Sequence, residues 1–343
     1  MQNEITRVIP LLDERGNLTE AGFARRLLPV YKRADIKAPG WRIKEWDYYY
    51  IGNDRFGLAL TIDDNSYMGL DSISLLCFGE KPWQITKSPM RWLTFGKTGL
   101  PETSKEGVTE ISGKGYFLRF DVAGGVRKLT SHMEKFRGDE AIDLSVTLSE
   151  EPEESMVICT PFEKEGHFYY NQKINCMRAE GYVKLGGEEY IFTPEDSFGT
   201  LDWGRGVWTY HNTWLWGSAS GLVGGNTFGF NIGYGFGDVS AASENMLWYR
   251  GKTHKLGRLT IDIPGKPGHR DYMSPWTITE EEGRFVMEFV PFLDRAACTD
   301  VKLIKSDQHQ VFGHYYGEAV LEDGKKLFIN GLTGFCEEVE NKW

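Results

Sequence analysis

The sequence predicts an all-β protein made of two antiparallel β-barrels or sandwiches in tandem, preceded by a short N-terminal helix. The chain has 343 residues, of which 40 are Gly, only 13 are Pro and 14% are aromatic. This composition is typical of short strands joined by tight turns. Strand-like segments recur at regular spacing about eighteen to twenty times. Because a small barrel uses about 8 strands, this number predicts two.

The first forty residues differ from the rest of the chain. In the segment 18–31 the apolar residues Phe23, Leu27 and Leu28 recur at helical spacing. A cap-like Thr-Glu pair precedes them and Pro29 interrupts them. The segment therefore predicts a short amphipathic helix that covers one end of a larger structure.

From Trp41 onward, strand signals and turn chemistry alternate. In the first half the predicted strands are 43–51, 56–62, 72–78, 116–122, 142–148 and 156–160. In the second half they are 178–185, 189–192, 213–220, 227–235, 244–249, 255–263, 276–280, 284–290, 308–321 and 326–338. An even division predicts a helical segment at 1–40, a first β-barrel domain at 41–165 and a second at 166–343.

Charge and hydropathy exclude several classes of protein. The formal net charge of −10 argues against a binder of nucleic acid or of anionic membranes. No apolar run approaches the roughly 20 residues of a membrane span, and the first residues are too charged for a signal peptide. Five scattered Cys without a CxxC pair favour free thiols in a reducing compartment, so we expect a cytoplasmic protein.

Residues 196–250 concentrate the unusual chemistry of the chain. They hold five of the eleven Trp, namely Trp203, Trp208, Trp214, Trp216 and Trp248. Tryptophan combines a large apolar body with one polar group. Such a density suits the floor of a ligand pocket, and it equally suits a filled barrel interior.

Arg205 stands between Gly204 and Gly206 in this stretch. An arginine in such a place is expected either to pair with a carboxylate or to face an anionic or carbonyl group, because its planar guanidinium offers several donors. Asp202 and Glu244 are the candidate partners. The pair is either part of a reactive site or a buried contact that fixes a corner of the barrel.

Tyr210 and His211 follow closely. Histidine is the usual proton carrier near neutral pH, although a lone His beside a turn is more often structural. Strand alternation then places Trp214 and Trp216 on one face. That face lines a cavity or packs under a covering element.

Further along, Asn231 and Tyr234 lie in a strand where glycines alternate with aromatic residues. Glu244 and Asn245 point to opposite faces of the next strand, so one of them points inward. An inward Glu needs a partner or a raised pKa. No metal-ligand spacing, nucleotide fingerprint or hydrolase motif is present, and we predict neither a metal nor a cofactor.

Three runs of sequence carry a resemblance to a known family: 170–176 (Tyr-Asn-Gln-Lys-Ile-Asn-Cys), 181–192, and 198–208 (Phe-Gly-Thr-Leu-Asp-Trp-Gly-Arg-Gly-Val-Trp). With 230–236 and Glu244-Asn245 they resemble the uncharacterised bacterial family catalogued as domain of unknown function 2804.

More distantly, the chain is similar to the tandem lipocalin-like proteins. These include carotenoid 1,2-hydratases, kievitone hydratase-like enzymes, AttH, tocopherol cyclase and lipocalin-like Diels–Alderases. The resemblance implies two lipocalin-like barrels, an apolar pocket and acid-assisted chemistry on alkenes or polyketide-like substrates. By position it points to Asp202, Trp203, Arg205, Tyr210 and His211.

We therefore expect a cofactor-independent hydratase, lyase, cyclase or isomerase that acts on a largely apolar small molecule. The expected catalytic residues are Asp202, Arg205, Tyr210, His211 and Glu244. The expected ligand contacts are Trp203, Trp208, Trp214, Trp216, Asn231, Tyr234 and Asn245.

Two alternatives remain open at this stage. In the first, the protein binds an apolar ligand without catalysis. In the second, it is a carbohydrate-active enzyme that uses two carboxyl groups across a groove, drawn from Asp196, Asp202, Asp238 and Glu244. The sequence does not indicate an oligomeric state.

Overall fold

In the computed structural model, which describes residues 2–300 and 305–342, the chain is built almost entirely of β-strands. They form two large antiparallel sheets, each curled around its own apolar core. Two short 3₁₀ turns, Arg33–Asp35 and Gly40–Arg42, precede the first long strand. The predicted fold class, all-β with two curled sheets in tandem, is confirmed.

The first sixteen strands run in chain order as β1 (Ile9–Pro10), β2 (Gly22–Ala24), β3 (Pro29–Val30), β4 (Ile43–Gly52), β5 (Phe56–Asp64), β6 (Met68–Cys77), β7 (Trp83–Lys87), β8 (Met90–Trp92), β9 (Gly107–Gly113), β10 (Tyr116–Ala123), β11 (Val126–Arg137), β12 (Glu140–Ser149), β13 (Met156–Pro161), β14 (Phe168–Leu185), β15 (Glu188–Phe192) and β16 (Phe198–Val207). The others are β17 (His211–Val223), β18 (Asn226–Tyr234), β19 (Met246–Tyr249), β20 (Lys252–Lys255), β21 (Leu259–Asp262), β22 (Gly265–Lys266), β23 (His269–Arg270), β24 (Trp276–Glu280), β25 (Phe285–Asp300), β26 (Lys305–Val320) and β27 (Lys326–Lys342).

The first sheet has the order β7-β6-β5-β4-β16-β14-β12-β11-β10-β9; in addition, β13 and β15 pair with β14, β2 pairs with β13, and β8 pairs with β6. Its curvature brings distant strands together. Thr109 of β9 donates a buried hydrogen bond of 2.6 Å to Asp47 of β4, although the two strands are not neighbours in the sheet. The sheet therefore curls so far that its edge strand β9 contacts β4, and the interior is enclosed by the sheet itself.

The second sheet has the order β20-β19-β18-β17-β27-β26-β25-β24-β21. Its core is rich in aromatic residues, among them Phe230, Trp276 and Tyr315. The chain leaves the first sheet after Val207, the last residue of β16, and enters the second sheet at His211, the first residue of β17. The domain division at residues 165 and 166 stays a prediction.

The two sheets dock against each other through strands that are covered on both faces. All ten residues of β16 are buried, and so are nine of the ten in β4. In β14 a register shift puts Asn175 at the contact, where its amide donates to Ser218 Oγ (2.8 Å) and to the carbonyl of Phe230 (3.0 Å). This docked layer between the sheets holds the candidate site.

The prediction of an N-terminal helix is wrong. In its place Gly22–Ala24 forms strand β2, which pairs with β13 through Phe23 and Ile158. The apolar residues Leu27 and Leu28 pack on the first core without a helix. The backbone donors and acceptors of this segment are satisfied by a neighbouring strand, and this tertiary pairing outweighs a short helical pattern.

No helix in residues 2–300 and 305–342 is both long enough and apolar enough to cross a bilayer.

Candidate active site

Lys173 is the centre of a polar cluster in the layer between the sheets. It lies on β14 directly opposite Asp202 on β16, and both side chains face the second sheet. The Lys173 Nζ lies 2.9 Å from Asp202 Oδ2. Only 3% of the Lys173 side chain is exposed, so this ion pair is almost fully withdrawn from water.

Asp202 accepts hydrogen bonds on both carboxylate oxygens. Besides the ammonium of Lys173, it accepts from Asn171 Nδ2 at 2.5 Å and from Trp46 Nε1 at 3.2 Å. All three of these partners are donors, so Asp202 acts only as an acceptor in the cluster.

Glu244 approaches the same ammonium from the second sheet, just before β19. Its Oε2 lies 4.0 Å from Lys173 Nζ and 3.4 Å from Asn231 Nδ2. Burial raises the pKa of Glu244; the charge of Asp202 raises it further, and Lys173 opposes both effects. Its side chain is 14% exposed, more than those of Lys173 and Asp202.

Glu337 of β27 adds a third carboxyl group, which the sequence analysis missed. It accepts from Trp214 Nε1 and from Gln310 Nε2, both at 2.9 Å. Burial is the main cause that raises the pKa of Glu337. Two carboxyl groups with raised pKa values, Glu244 and Glu337, thus lie near the ion pair of Lys173 and Asp202.

Aromatic rings enclose the cluster. The ammonium of Lys173 lies 3.7 Å from the centre of the Trp216 ring, and Trp216 Nε1 donates to Asn231 Oδ1 at 2.6 Å. Trp208 and Trp214 pack edge to face, with ring centres 6.1 Å apart. Such rings attract cations through their faces.

The remaining wall comes from β4, where Trp46 stacks on Tyr169 with 6.2 Å between ring centres and 10° between planes. Gly204 makes this possible: a Cβ built there would lie 1.9 Å from Cζ2 of Trp46. The Gly-Arg-Gly segment therefore leaves room for a tryptophan against the backbone of β16.

Arg205 and Trp203 face the opposite side of β16 and lie inside the first core. The guanidinium of Arg205 donates to Asp47 at 3.1 Å and lies 3.9 Å from Glu45, and its carbon lies 4.2 Å from the centre of the Trp203 ring. The expected pairing of Arg205 with Asp202 or Glu244 is wrong, because successive side chains of a strand point to opposite faces.

Tyr210 and His211 lie at the surface, apart from the cluster. The His211 side chain is 51% exposed and its Nε2 lies 3.1 Å from Glu340 Oε1. Tyr210 is half exposed. Neither residue is brought to Asp202 or Glu244.

Two further predicted contacts serve the scaffold of the second sheet. Asn245 donates to the carbonyl of Gly257 and accepts from the backbone of Gly233, both at 2.8 Å. The hydroxyl of Tyr234 exchanges hydrogen bonds with the backbone of Ile261. Of the predicted residues, the structure gathers Asp202, Glu244, Asn231 and the tryptophans 208, 214 and 216 around Lys173.

Lys173 was missed although it lies in the 170–176 run that carries the family resemblance. The available signal was a lysine between two asparagines, Asn171 and Asn175, in a segment flanked by the aromatic residues 168–170 and by Cys176 and Met177. A cation in such a strand needs a buried partner. Glu337 and Trp46 had no local signal, since they meet the cluster only through the docking of the two sheets.

Within residues 2–300 and 305–342, no group of three or more His, Cys, Asp or Glu side chains is arranged to hold a metal ion.

The fold and the cluster define a β protein of two curled sheets with a buried cluster of charged and aromatic side chains between them. The chain belongs to the family described as "Domain of unknown function (DUF2804)", whose profile matches residues 2–343. The family resemblance read from the sequence is thereby confirmed. No curated protein matches the chain.

Several solved structures are similar in backbone. A provisionally assigned AttH from Nitrosomonas europaea has 10% identity and a TM-score of 0.49, over 98% of this chain and 99% of that one. Kievitone hydratase from Nectria haematococca has 10% identity and a TM-score of 0.47, over 98% of both chains. The complex of CghA with Sch210972 has 11% identity and a TM-score of 0.42, over 88% of both.

Proposed function

We propose that the protein is a cofactor-independent acid–base enzyme, of the hydratase, lyase, cyclase or isomerase kind, acting on a largely apolar small molecule. The observation that carries the proposal is the contact of Lys173 with two carboxyl groups of opposite character, Asp202 and Glu244. Asp202 is paired with Lys173 and accepts from Asn171, whereas burial raises the pKa of Glu244. Two neighbouring carboxyl groups in such different surroundings can divide the roles of acid and base.

In this proposal Glu244 is the proton donor. Its carboxyl group keeps a proton to a higher pH than an ordinary glutamate, and the proposal requires that a substrate approach it from the side where its side chain is 14% exposed. Transfer of that proton to an alkene carbon breaks the π bond and leaves a carbocation on the neighbouring carbon. The ionised Glu244 formed in this step then pairs with Lys173, which stabilises the product of the transfer.

The aromatic wall stabilises the cation. Trp214 and Trp216 present large rings beside the carboxyl groups, and a cation over such a face gains about 0.5–2 kcal/mol per ring. Asp202 then acts as the base. It takes a proton from an attacking water in a hydration, or from the adjacent carbon in an isomerisation.

The test uses deuterium. Wild-type protein is incubated in D₂O with a panel of apolar alkenes and enones, and products are analysed by mass spectrometry for carbon-bound deuterium. We expect incorporation with at least one substrate, and a loss of about 100-fold or more for Glu244→Gln, in line with removal of a general acid. Glu189→Gln, which changes an exposed carboxyl group of β15, is the matched control.

A second candidate function, binding of an apolar ligand without catalysis, is favoured by one observation. Asp202 has its charge matched by Lys173 and its oxygens occupied by Asn171 and Trp46. In that case Nile red, a neutral apolar dye, binds the wild type and Glu244→Gln equally, and neither protein incorporates deuterium into any substrate.

The carbohydrate-active alternative has less support at this site. Asp196 and Asp238 are exposed, and Asp196 pairs with Arg55 at 2.9 Å. Only Asp202 and Glu244 of the four predicted carboxyl groups lie together at Lys173.

A further inference from the structure

A cleft of about 370 Å³ opens between the two sheets, away from Lys173. It arises because β17 and β27 separate. Their pairing ends at Ala219 and Gly334, after which β17 continues with β18 alone and β27 with β26 alone. The turn between β4 and β5 and the start of β16 close the other side.

One wall of the cleft is apolar and unusually exposed. Phe328 of β27 is 68% exposed and Leu222 of β17 is 42% exposed, and both line the cleft. Large apolar side chains at the mouth of a cleft are typical of a surface that a ligand covers. An aromatic ring in this position stacks against a flat apolar face of a small molecule.

The facing wall presents hydroxyl and carboxyl groups. Thr333 Oγ1 donates to Asp54 Oδ1 at 2.6 Å and lies 3.2 Å from His314 Nδ1, so the hydroxyl of Thr333 is fixed in direction. At the floor the hydroxyls of Thr200 and Ser220 are 3.4 Å apart and join the two sheets.

The charge of the lining restricts the ligand. Among the described residues that line the cleft, the Asp, Glu, Lys, Arg and His side chains are all carboxyl groups: Asp54, Glu195 and Asp196. An anionic ligand is therefore excluded by repulsion. Asp196 is paired with Arg55, Asp54 accepts a hydrogen bond from the Thr333 hydroxyl, and Glu195 is the third carboxyl group of the lining.

We propose that this cleft binds a small neutral polyhydroxylated molecule, of the sugar class. A sugar ring offers a C–H face that packs on Phe328. Its hydroxyl groups donate to the Asp54 carboxylate and exchange hydrogen bonds with Thr333 and Asn330. The cleft volume lies at the lower end of the range for small-molecule sites. This inference is independent of the Lys173 site, because the two sites share no lining residue.

The experiment is a calorimetric titration of the full chain with methyl glucosides, cellobiose and maltose, with choline and acetate as charged probes. We expect binding of at least one sugar and none of acetate. Phe328→Ala is expected to weaken sugar binding about fivefold, from the loss of the stacking face. Asp54→Asn is expected to weaken it about tenfold, from the loss of a charged acceptor.

Phe117→Ala, at a partly exposed Phe of β10 in the first sheet, is the matched control and is expected to leave sugar binding unchanged. Phe328 and Asp54 are both exposed, so their variants are expected to fold, which circular dichroism checks. The proposal is overturned if no sugar binds, if choline alone binds, or if sugar binding survives both cleft variants.

Discussion

Lys173 and Asp202 face each other across neighbouring antiparallel strands, with 2.9 Å between Nζ and Oδ2, in a layer that both sheets cover. A buried ion pair is costly to break, because the remaining partner keeps an uncompensated charge. The same burial makes each charge act strongly on its neighbours, and Glu244 is the neighbour within reach. The pair therefore links the stability of the fold to the chemistry of the site.

The first prediction concerns this pair. Asp202→Asn and Lys173→Met are each expected to lower the free energy of unfolding by about 3 kcal/mol, because each leaves a buried charge unmatched. The double variant is expected to lose clearly less than the sum of the two. Urea denaturation measures all four proteins, and additive losses would show that the two side chains do not interact.

The second prediction separates Arg205 from the site. Arg205→Met leaves Asp47 and Glu45 without their buried cation, so we expect a loss of about 3 kcal/mol or more in the free energy of unfolding. Thermal unfolding followed by circular dichroism measures it. Unchanged stability together with lost Nile red binding would assign Arg205 to the ligand site instead.

A third prediction tests the close approach of Trp46 to β16. In Gly204→Ala the new Cβ meets the Trp46 ring, so we expect a loss of about 1–3 kcal/mol from forced displacement. Gly187→Ala is the matched control, since nothing lies within 4 Å of a Cβ at that position. Chemical denaturation compares them, and equal stability of the two variants would be inconsistent with the observed packing.

His211 is the subject of the fourth prediction. Its side chain is half exposed and contacts Glu340 at the surface, so His211→Ala is expected to preserve both thermal stability and deuterium incorporation. Differential scanning fluorimetry and the D₂O assay provide the two readouts. A His211→Ala protein that is folded but does not incorporate deuterium would show that His211 takes part in catalysis.

The strand pattern was readable from sequence because turns and alternating apolar residues are local signals. The N-terminal segment was not, since its helical spacing competed with strand pairing to β13. Alternation also located Trp214 and Trp216 correctly on one face. It does not tell which face a second sheet will cover.

The site was only partly predictable for the same reason. Asp202 and Glu244 were named, yet the cation between them came from another strand, and Glu337 came from the last one. Arg205 found its partner Asp47 158 residues away. The central strands of this chain are buried on both faces, so their charged residues pair with partners that are far away in the sequence. A single sequence does not show which of these distant residues lie close together in space.

The fifth prediction follows from the raised pKa of Glu244. Because the folded protein holds this proton to higher pH than the unfolded chain, it binds more protons in the window between the two pKa values. Stability is therefore expected to fall as pH rises from the ordinary glutamate value of 4.5 through the folded value. Glu244→Gln is expected to remove this part of the pH dependence, as thermal unfolding across pH would reveal.

The most direct measurement is an infrared titration of the folded protein, with the spectrum of Glu244→Gln subtracted to isolate this one carboxyl group. We expect its protonated C=O band to persist above pH 4.5 and to convert to carboxylate at a clearly higher pH. Conversion at or below pH 4.5 would mean that Glu244 is an ordinary ionised glutamate, and the acid–base account of the Lys173 cluster would be wrong.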